Sequence, residues 1–289
     1  MLKSVAIVGS CQIGGVGYAL KSCAPGLDVR FINPVNASVG EAQLIADALT
    51  ADAIVTQNVG RSALHAANLS KLHPQVHYLP MLVFRGFHPD CVQYKEEQTL
   101  TPGVLAVYHS VIASSCYALG LPESQTVALF NTLVFRSLGY FDVFENAKAQ
   151  TVLQFKQSGY DIGAHFGRWM QFGQFMYTPN HPRIEVLMQL GEMLALKLGI
   201  HTRELTRQPF KDNLGPLGMW PLYREIAKAH RVPATPPFAF ADASGAVQEA
   251  TLAAMVAASY RLYSTRGREN MLKLAAGPRL EIMRRLLRR

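Results

Sequence analysis

The sequence predicts an α/β protein, with a parallel sheet flanked by helices and a largely helical C-terminal part. Three observations carry this. Short β-branched runs alternate with helical stretches through the first eighty residues. Polar, glycine-containing segments fall where those runs end. Beyond Gly103 the alternation stops and long helical patterns take over.

Ser4–Val8 is a short β-branched run suited to a buried parallel strand, and Gln12–Ser22 reads as a helix entered through a tight Gly-Ser-Cys turn. Val29–Ile32 is a second strand and Gly40–Leu49 a second helix. Ala53–Thr56 is the third strand, followed by a helix across Arg61–Leu69 and a fourth strand at Val76–Leu79. Strands separated by helices imply right-handed crossovers, and the ligand site of such a sheet lies beyond the carboxyl ends of its strands. Gly9-Ser10-Cys11-Gln12, Gln57-Asn58 and Arg85-Gly86-Phe87-His88-Pro89-Asp90 occupy those ends. The later helical patterns are Val104–Leu119, Glu123–Leu138, Phe144–Phe155 and Ile184–Leu198. Between them, Pro179 and Pro182 bracket Asn180 and His181 and hold the pair on a stiff loop. We divide the chain into an α/β core with a helical insertion over residues 1–205 and a basic helical extension over 206–289.

The composition bounds the class. With 49% hydrophobic and 17% charged residues in 289, the chain can bury a core without staples. Its four cysteines show no framework or CxxC spacing, which implies reduced thiols and a cytoplasmic location. The apolar stretch Val104–Leu121 carries His109, Ser110, Ser114 and Ser115, so it reads as a core helix and not a membrane span. The net charge of +8 is concentrated at the end, where residues 261–289 hold nine Lys/Arg and two Glu. Such a segment suits a phosphorylated cofactor, an anionic membrane surface, an assembly partner or simply a solvated face. It has one aromatic and no nucleic-acid-binding motif, which argues against nucleic acid.

The glycines after the first strand fit neither nucleotide fingerprint. Cys11 occupies the second glycine of G-x-G-x-x-G, and Val16 stands where a P-loop needs lysine. Cys11 itself lies where strand turns into helix. Unpaired N–H groups there are expected to lower a thiol pKa and to offer an oxyanion site. A nucleophile needs a base. Of nine histidines, His181 and His88 sit in polar, proline-bounded loops, with His181 the first choice. No histidine and carboxylate spacing resembles a metal site.

Taken in order, Gly9-Ser10-Cys11-Gln12, Gln57, Gly86-Phe87-His88-Pro89-Asp90 and Tyr177-Thr178-Pro179-Asn180-His181-Pro182 resemble the WcbI-like capsular polysaccharide biosynthesis proteins over roughly the first 200 residues. The resemblance implies a three-layer fold of the SGNH-hydrolase or flavodoxin kind and acetyl transfer from coenzyme A to a sugar. It places Cys11, His181 and Gln57 in catalysis. Ser10, Gln12, Asn58, His88 and Asn180 become oxyanion or substrate contacts, with Arg85, Arg183 and Lys211 as phosphate contacts. Where SGNH hydrolases carry the aspartate that orients their histidine, this chain has Thr178, so Asp161, Asp90 or a backbone carbonyl is left to orient His181. Two other readings stay open: an esterase or deacetylase using the same residues, and a non-catalytic coenzyme A-binding scaffold of a polysaccharide assembly complex.

Overall fold

The computed structural model describes residues 2–288 except 36, 172, 201–211, 234–237 and 242–246. The chain forms two compact units, each assembled from separated segments. Residues 1–83, 151–169 and 180–215 make the first; 84–150, 170–179 and 216–289 make the second. The units are thus interleaved along the chain, whereas the sequence reading divides it once, near residue 205.

The first unit holds a four-stranded parallel sheet of β1 (Ser4–Val8), β2 (Asp28–Ile32), β3 (Ala53–Thr56) and β4 (Val76–Tyr78), in the order β2-β1-β3-β4. The central strands β1 and β3 are apolar over Val5–Val8 and Ala53–Val55 because both faces are covered there. Ala6, Val8, Ile32 and Ile54 point to one face, where they meet Leu44 and Ala48 of α2 (Glu41–Leu49) and Leu69 of α3 (Ala66–Leu69). Helix α1 (Ile13–Cys23) covers the other face, with Gly17 against Val29 and Phe31 of β2. It packs closely on the helix Ile184–Lys197. At Gly15 an added Cβ would press on Leu187, and at Gly191 it would meet Ala19. Because β2 lies on one side of β1 and β3 on the other, the strand order reverses at β1. Sheets with this order hold ligands beyond the carboxyl ends of the strands at that reversal, here β1 and β3.

The Arg61–Leu69 helix of the sequence reading is instead a 3-10 turn, Ser62–Leu64, followed by the single-turn α3.

The second unit is mostly helical with small antiparallel pairs. Cys91–Val92 pairs with His109–Ser110, and Phe238–Ala241 with Val247–Ala250. The expected Val104–Leu119 helix begins only at Val111, because His109 and Ser110 are held in the strand pair and Ser110 caps the helix by accepting the Ala113 N–H. Nearly every residue of Val111–Leu119 is buried, as an apolar all-round helix requires. Helices Leu252–Ser264, Arg268–Leu274 and Pro278–Leu287 pack around it. The expected Glu123–Leu138 helix is two, Glu123–Ala128 and Thr132–Ser137, because the Asn131 side chain accepts the Val134 N–H and starts a new helix. No described helix is long and apolar enough to cross a membrane.

Candidate functional site

The turns beyond β1 and β3 are held in place by two buried amides. Gln57 directly follows β3, and its Oε1 accepts the Ser10 N–H at 3.2 Å, tying the turn after β1 to the turn after β3. Only glycine fits between them, since a Cβ on Gly9 would run into Gln57 Oε1 and Ile13 Cγ2. Gln12 is fully buried, although it begins α1. Its Nε2 donates to the Leu82 and Asn180 carbonyls, both at 2.8 Å, while its Oε1 accepts the Leu82 N–H at 3.0 Å. One side chain therefore clamps three segments, and its partner Asn180 precedes His181 just as Cys11 precedes Gln12. Two loops some 170 positions apart are held within one hydrogen bond of each other.

Cys11 stands exposed in this turn, while Cys23, Cys91 and Cys116 are buried. Its Sγ lies 3.9 Å from the Ser10 Oγ, which in turn donates to Met81 Sδ at 3.2 Å. The helix-start environment does not make Cys11 a thiolate. Desolvation of the sulfur pushes its pKa above the usual thiol value, outweighing the Ser10 hydroxyl and the Cys11 and Gln12 amides that pull it down. The expected depression from the helix N-terminus is therefore present but smaller than the cost of burial.

His181 is half-buried, and its Nδ1 is enclosed with no hydrogen-bond partner among the described residues. Desolvation holds its pKa below the ordinary imidazole value, with the Asp212 charge opposing that effect. The imidazole is therefore neutral at pH 7. Asp212 is a residue the sequence reading passed over. Its carboxylate accepts the Ile184, Leu214 and Gly215 N–H groups, the first at the start of the helix that follows His181. The Asp-Asn-Leu-Gly run is a turn signal, and it was the available clue. Neither side-chain alternative offered for orienting His181 bonds to it. Asp161 accepts the Gly163 N–H, and Asp90 belongs to a buried cluster of the second unit.

Of the other expected contacts, Asn58 is exposed in a left-handed conformation (φ 53°), and its Oδ1 accepts the Ala66 N–H, fixing the loop before α3. Arg183 is half-buried at the N-cap of the Ile184–Lys197 helix. Lys211 lies outside the described residues.

Arg85 and His88 lie in the second unit. Arg85 is exposed. His88 is 1% exposed. Its Nε2–H donates to the Trp220 carbonyl at 2.9 Å, and the Gln174 amide lies 2.8 Å from the same nitrogen. Burial lowers its pKa to about 3, so the ring is a neutral part of that unit's interior rather than an exposed contact. Asp90, two positions on, is also fully buried. Its oxygens accept the Ile112 N–H and the Tyr140 and Tyr223 hydroxyls at 2.8–3.0 Å, with the Ser110 hydroxyl as a further donor.

Known proteins match this architecture. A solved structure superimposes with a TM-score of 0.72 at 14% identity, covering 100% of this chain and 97% of that one. That protein is WcbI, described as a novel polysaccharide biosynthesis enzyme in a native form without the disulfide bond between coenzyme A and one of its cysteines. At that identity the likeness speaks for the fold. No curated protein matches the chain. The model of the family "Polysaccharide biosynthesis enzyme WcbI" matches residues 4–203, which span the sheet, the Cys11 turn and the His181 loop. By that match the chain belongs to the WcbI family of polysaccharide biosynthesis enzymes.

Proposed function

We propose that the protein transfers an acetyl group from coenzyme A to a sugar hydroxyl during polysaccharide biosynthesis, beyond the carboxyl ends of β1 and β3. The observation that carries this reading is the Gln12 clamp, which holds the Cys11 turn against the loop of His181. The structural neighbour's association of coenzyme A with a cysteine supports the choice of cofactor, and Cys11 is the exposed thiol of this chain.

The protonation states favour direct transfer. A covalent acyl-cysteine route starts best from a thiolate, and here the thiol is held up while the imidazole is held down. Neutral His181 accepts the proton of the sugar hydroxyl as its oxygen attacks the thioester carbonyl carbon. The carbon–sulfur bond then breaks, and the departing coenzyme A sulfur takes the proton back from His181. The oxyanion formed between these steps is stabilised by N–H groups of the Cys11–Gln12 turn, with the Gln57 amide NH₂ as a further donor. Cys11 lines the thioester pocket. Arg183 supplies charge for a cofactor phosphate.

The test is acetyl transfer to sugar acceptors, followed by release of free coenzyme A, in three variants. His181→Ala and Gln12→Ala are each expected to lower kcat at least about a hundredfold, as loss of a base or of its placement does. Cys11→Ala is expected to retain activity within about tenfold. The rate should rise with pH through the depressed His181 pKa, below 6.5, and be flat at the thiol's. Failure to bind acetyl coenzyme A in calorimetry at millimolar concentration would overturn the reading. Acetate released from an acetylated sugar without cofactor would replace it with hydrolysis.

A further inference from the structure

The second unit contains a cavity of about 830 Å³ that the catalytic reading does not use. Thr132 and Arg136 face it from the helix Thr132–Ser137, and Arg224 and Lys228 from the helix Arg224–Ala229. Both pairs are spaced i, i+4, which puts each on one helical face. Half-buried Phe141 lines the same cavity.

What distinguishes this cavity is uncompensated charge. Arg136, Arg224 and Lys228 are exposed, and none makes an ion pair or side-chain hydrogen bond among the described residues. Arg224 and Lys228 repel one another at i, i+4 spacing, which costs a helix stability unless a counter-charge arrives. Two carboxylates, Asp142 and Glu225, line the same cavity, yet neither comes within ion-pair distance of the three cations. Three cations left open on two helices, beside an aromatic ring, match the chemistry of a phosphorylated nucleotide. Guanidinium groups take phosphate oxygens bidentately, an ammonium adds a point charge, and the ring stacks on a base.

We propose that this cavity is a nucleotide-phosphate site, with Arg136, Arg224 and Lys228 as the phosphate contacts and Phe141 as the stacking surface. It stands independently of acetyl transfer, since it involves no residue placed in that chemistry. The source is the diphosphate of a nucleotide-linked sugar; the phosphates of coenzyme A are already met by Arg183 in the reading above.

The test is calorimetry of the full chain with uridine diphosphate, repeated in saturating adenosine 3′,5′-bisphosphate. Displacement by the bisphosphate overturns the nucleotide-sugar source, and unchanged binding of uridine diphosphate is expected. The triple variant Arg136→Gln/Arg224→Gln/Lys228→Gln should bind it at least about tenfold more weakly, because charge-assisted contacts are lost. Raising salt should weaken binding to the native protein more steeply than to the variant. All three side chains are exposed and their mutual repulsion is removed, so the variant should unfold at a temperature no lower than the native protein's. Absence of uridine diphosphate binding at millimolar concentration overturns the proposal, and so does undiminished affinity in a folded triple variant. Neither result bears on acetyl transfer, which is read separately through His181→Ala.

Discussion

Two loops of this protein read alike in sequence and differ in the structure. Gly9-Ser10-Cys11-Gln12 and Gly86-Phe87-His88-Pro89-Asp90 each combine glycine with polar and potentially reactive side chains after an apolar run. In the first unit the fixed, buried groups are neutral amides, Gln12 and Gln57, and the reactive thiol beside them is left at the surface. In the second unit the titratable groups themselves are buried: the Asp90 oxygens are spent on neighbouring donors, and His88 is held through Nε2 alone. A buried amide can clamp loops without the desolvation cost of a charge, so it frees its neighbours for chemistry. A buried carboxylate must be surrounded by donors, and Asp90 is, so it serves as a structural knot.

The largest expected effect tests that knot. Asp90→Ala leaves the Tyr140, Tyr223 and Ser110 hydroxyls and the Ile112 N–H facing no acceptor. Urea unfolding should show a loss of more than about 3 kcal/mol, since several charge-assisted bonds go at once. A loss below about 1 kcal/mol would break the contrast between the two loops.

The next effect is a pH dependence. Burial holds His88 at about 3, against an ordinary value of 6.5. The unfolded chain takes up a proton below 6.5 and the folded one does not, so this stabilisation is full above that pH and is lost as pH falls toward 3. At pH 5 the loss is about 2 kcal/mol. His88→Gln should be less stable at pH 7 yet lose less on acidification, as read from urea midpoints at both pH values. Identical acid slopes in the two proteins would mean that the ring is accessible to protons while folded.

The smallest effect sharpens the other side. Cys11→Ser should change stability by less than about 0.5 kcal/mol, as exposed substitutions do. In the native protein iodoacetamide should label Cys11 alone, slowly at pH 7 and faster as pH climbs toward and past 9, because neighbouring groups desolvate the sulfur of this surface residue and hold the thiol up. Mass spectrometry of the labelled peptides reads this directly. Fast labelling at pH 7 would contradict the raised thiol, and labelling of Cys23, Cys91 or Cys116 the burial of those three.

Much of the first unit was legible before any coordinates. The four parallel strands fall within a residue of their expected bounds: β1 and β3 because strands covered on both faces are mainly apolar, and the partly exposed edge strands β2 and β4 because β-branched and aromatic residues mark them. Position alone put Cys11 and Gln57 at strand ends. The second unit was less legible. The Val104–Leu119 pattern is apolar whether helical or not, and only the pairing of His109 and Ser110 with Cys91 and Val92 shortens the helix. Asn131 is a cap that could have been read as one, and it splits the expected Glu123–Leu138 helix.

By itself, then, the sequence determined the parallel sheet, the turn that presents Cys11 and the placement of His181 on a proline-bounded loop, because strand periodicity, turn chemistry and proline geometry act over a few neighbouring residues. Which polar groups would be desolvated was decided only by tertiary packing. Packing desolvates the Cys11 sulfur at the surface and raises its thiol, makes Gln12 a clamp between loops, and encloses His88 and Asp90. Those outcomes depend on segments distant in the chain, and no local pattern encodes the dielectric a side chain will meet.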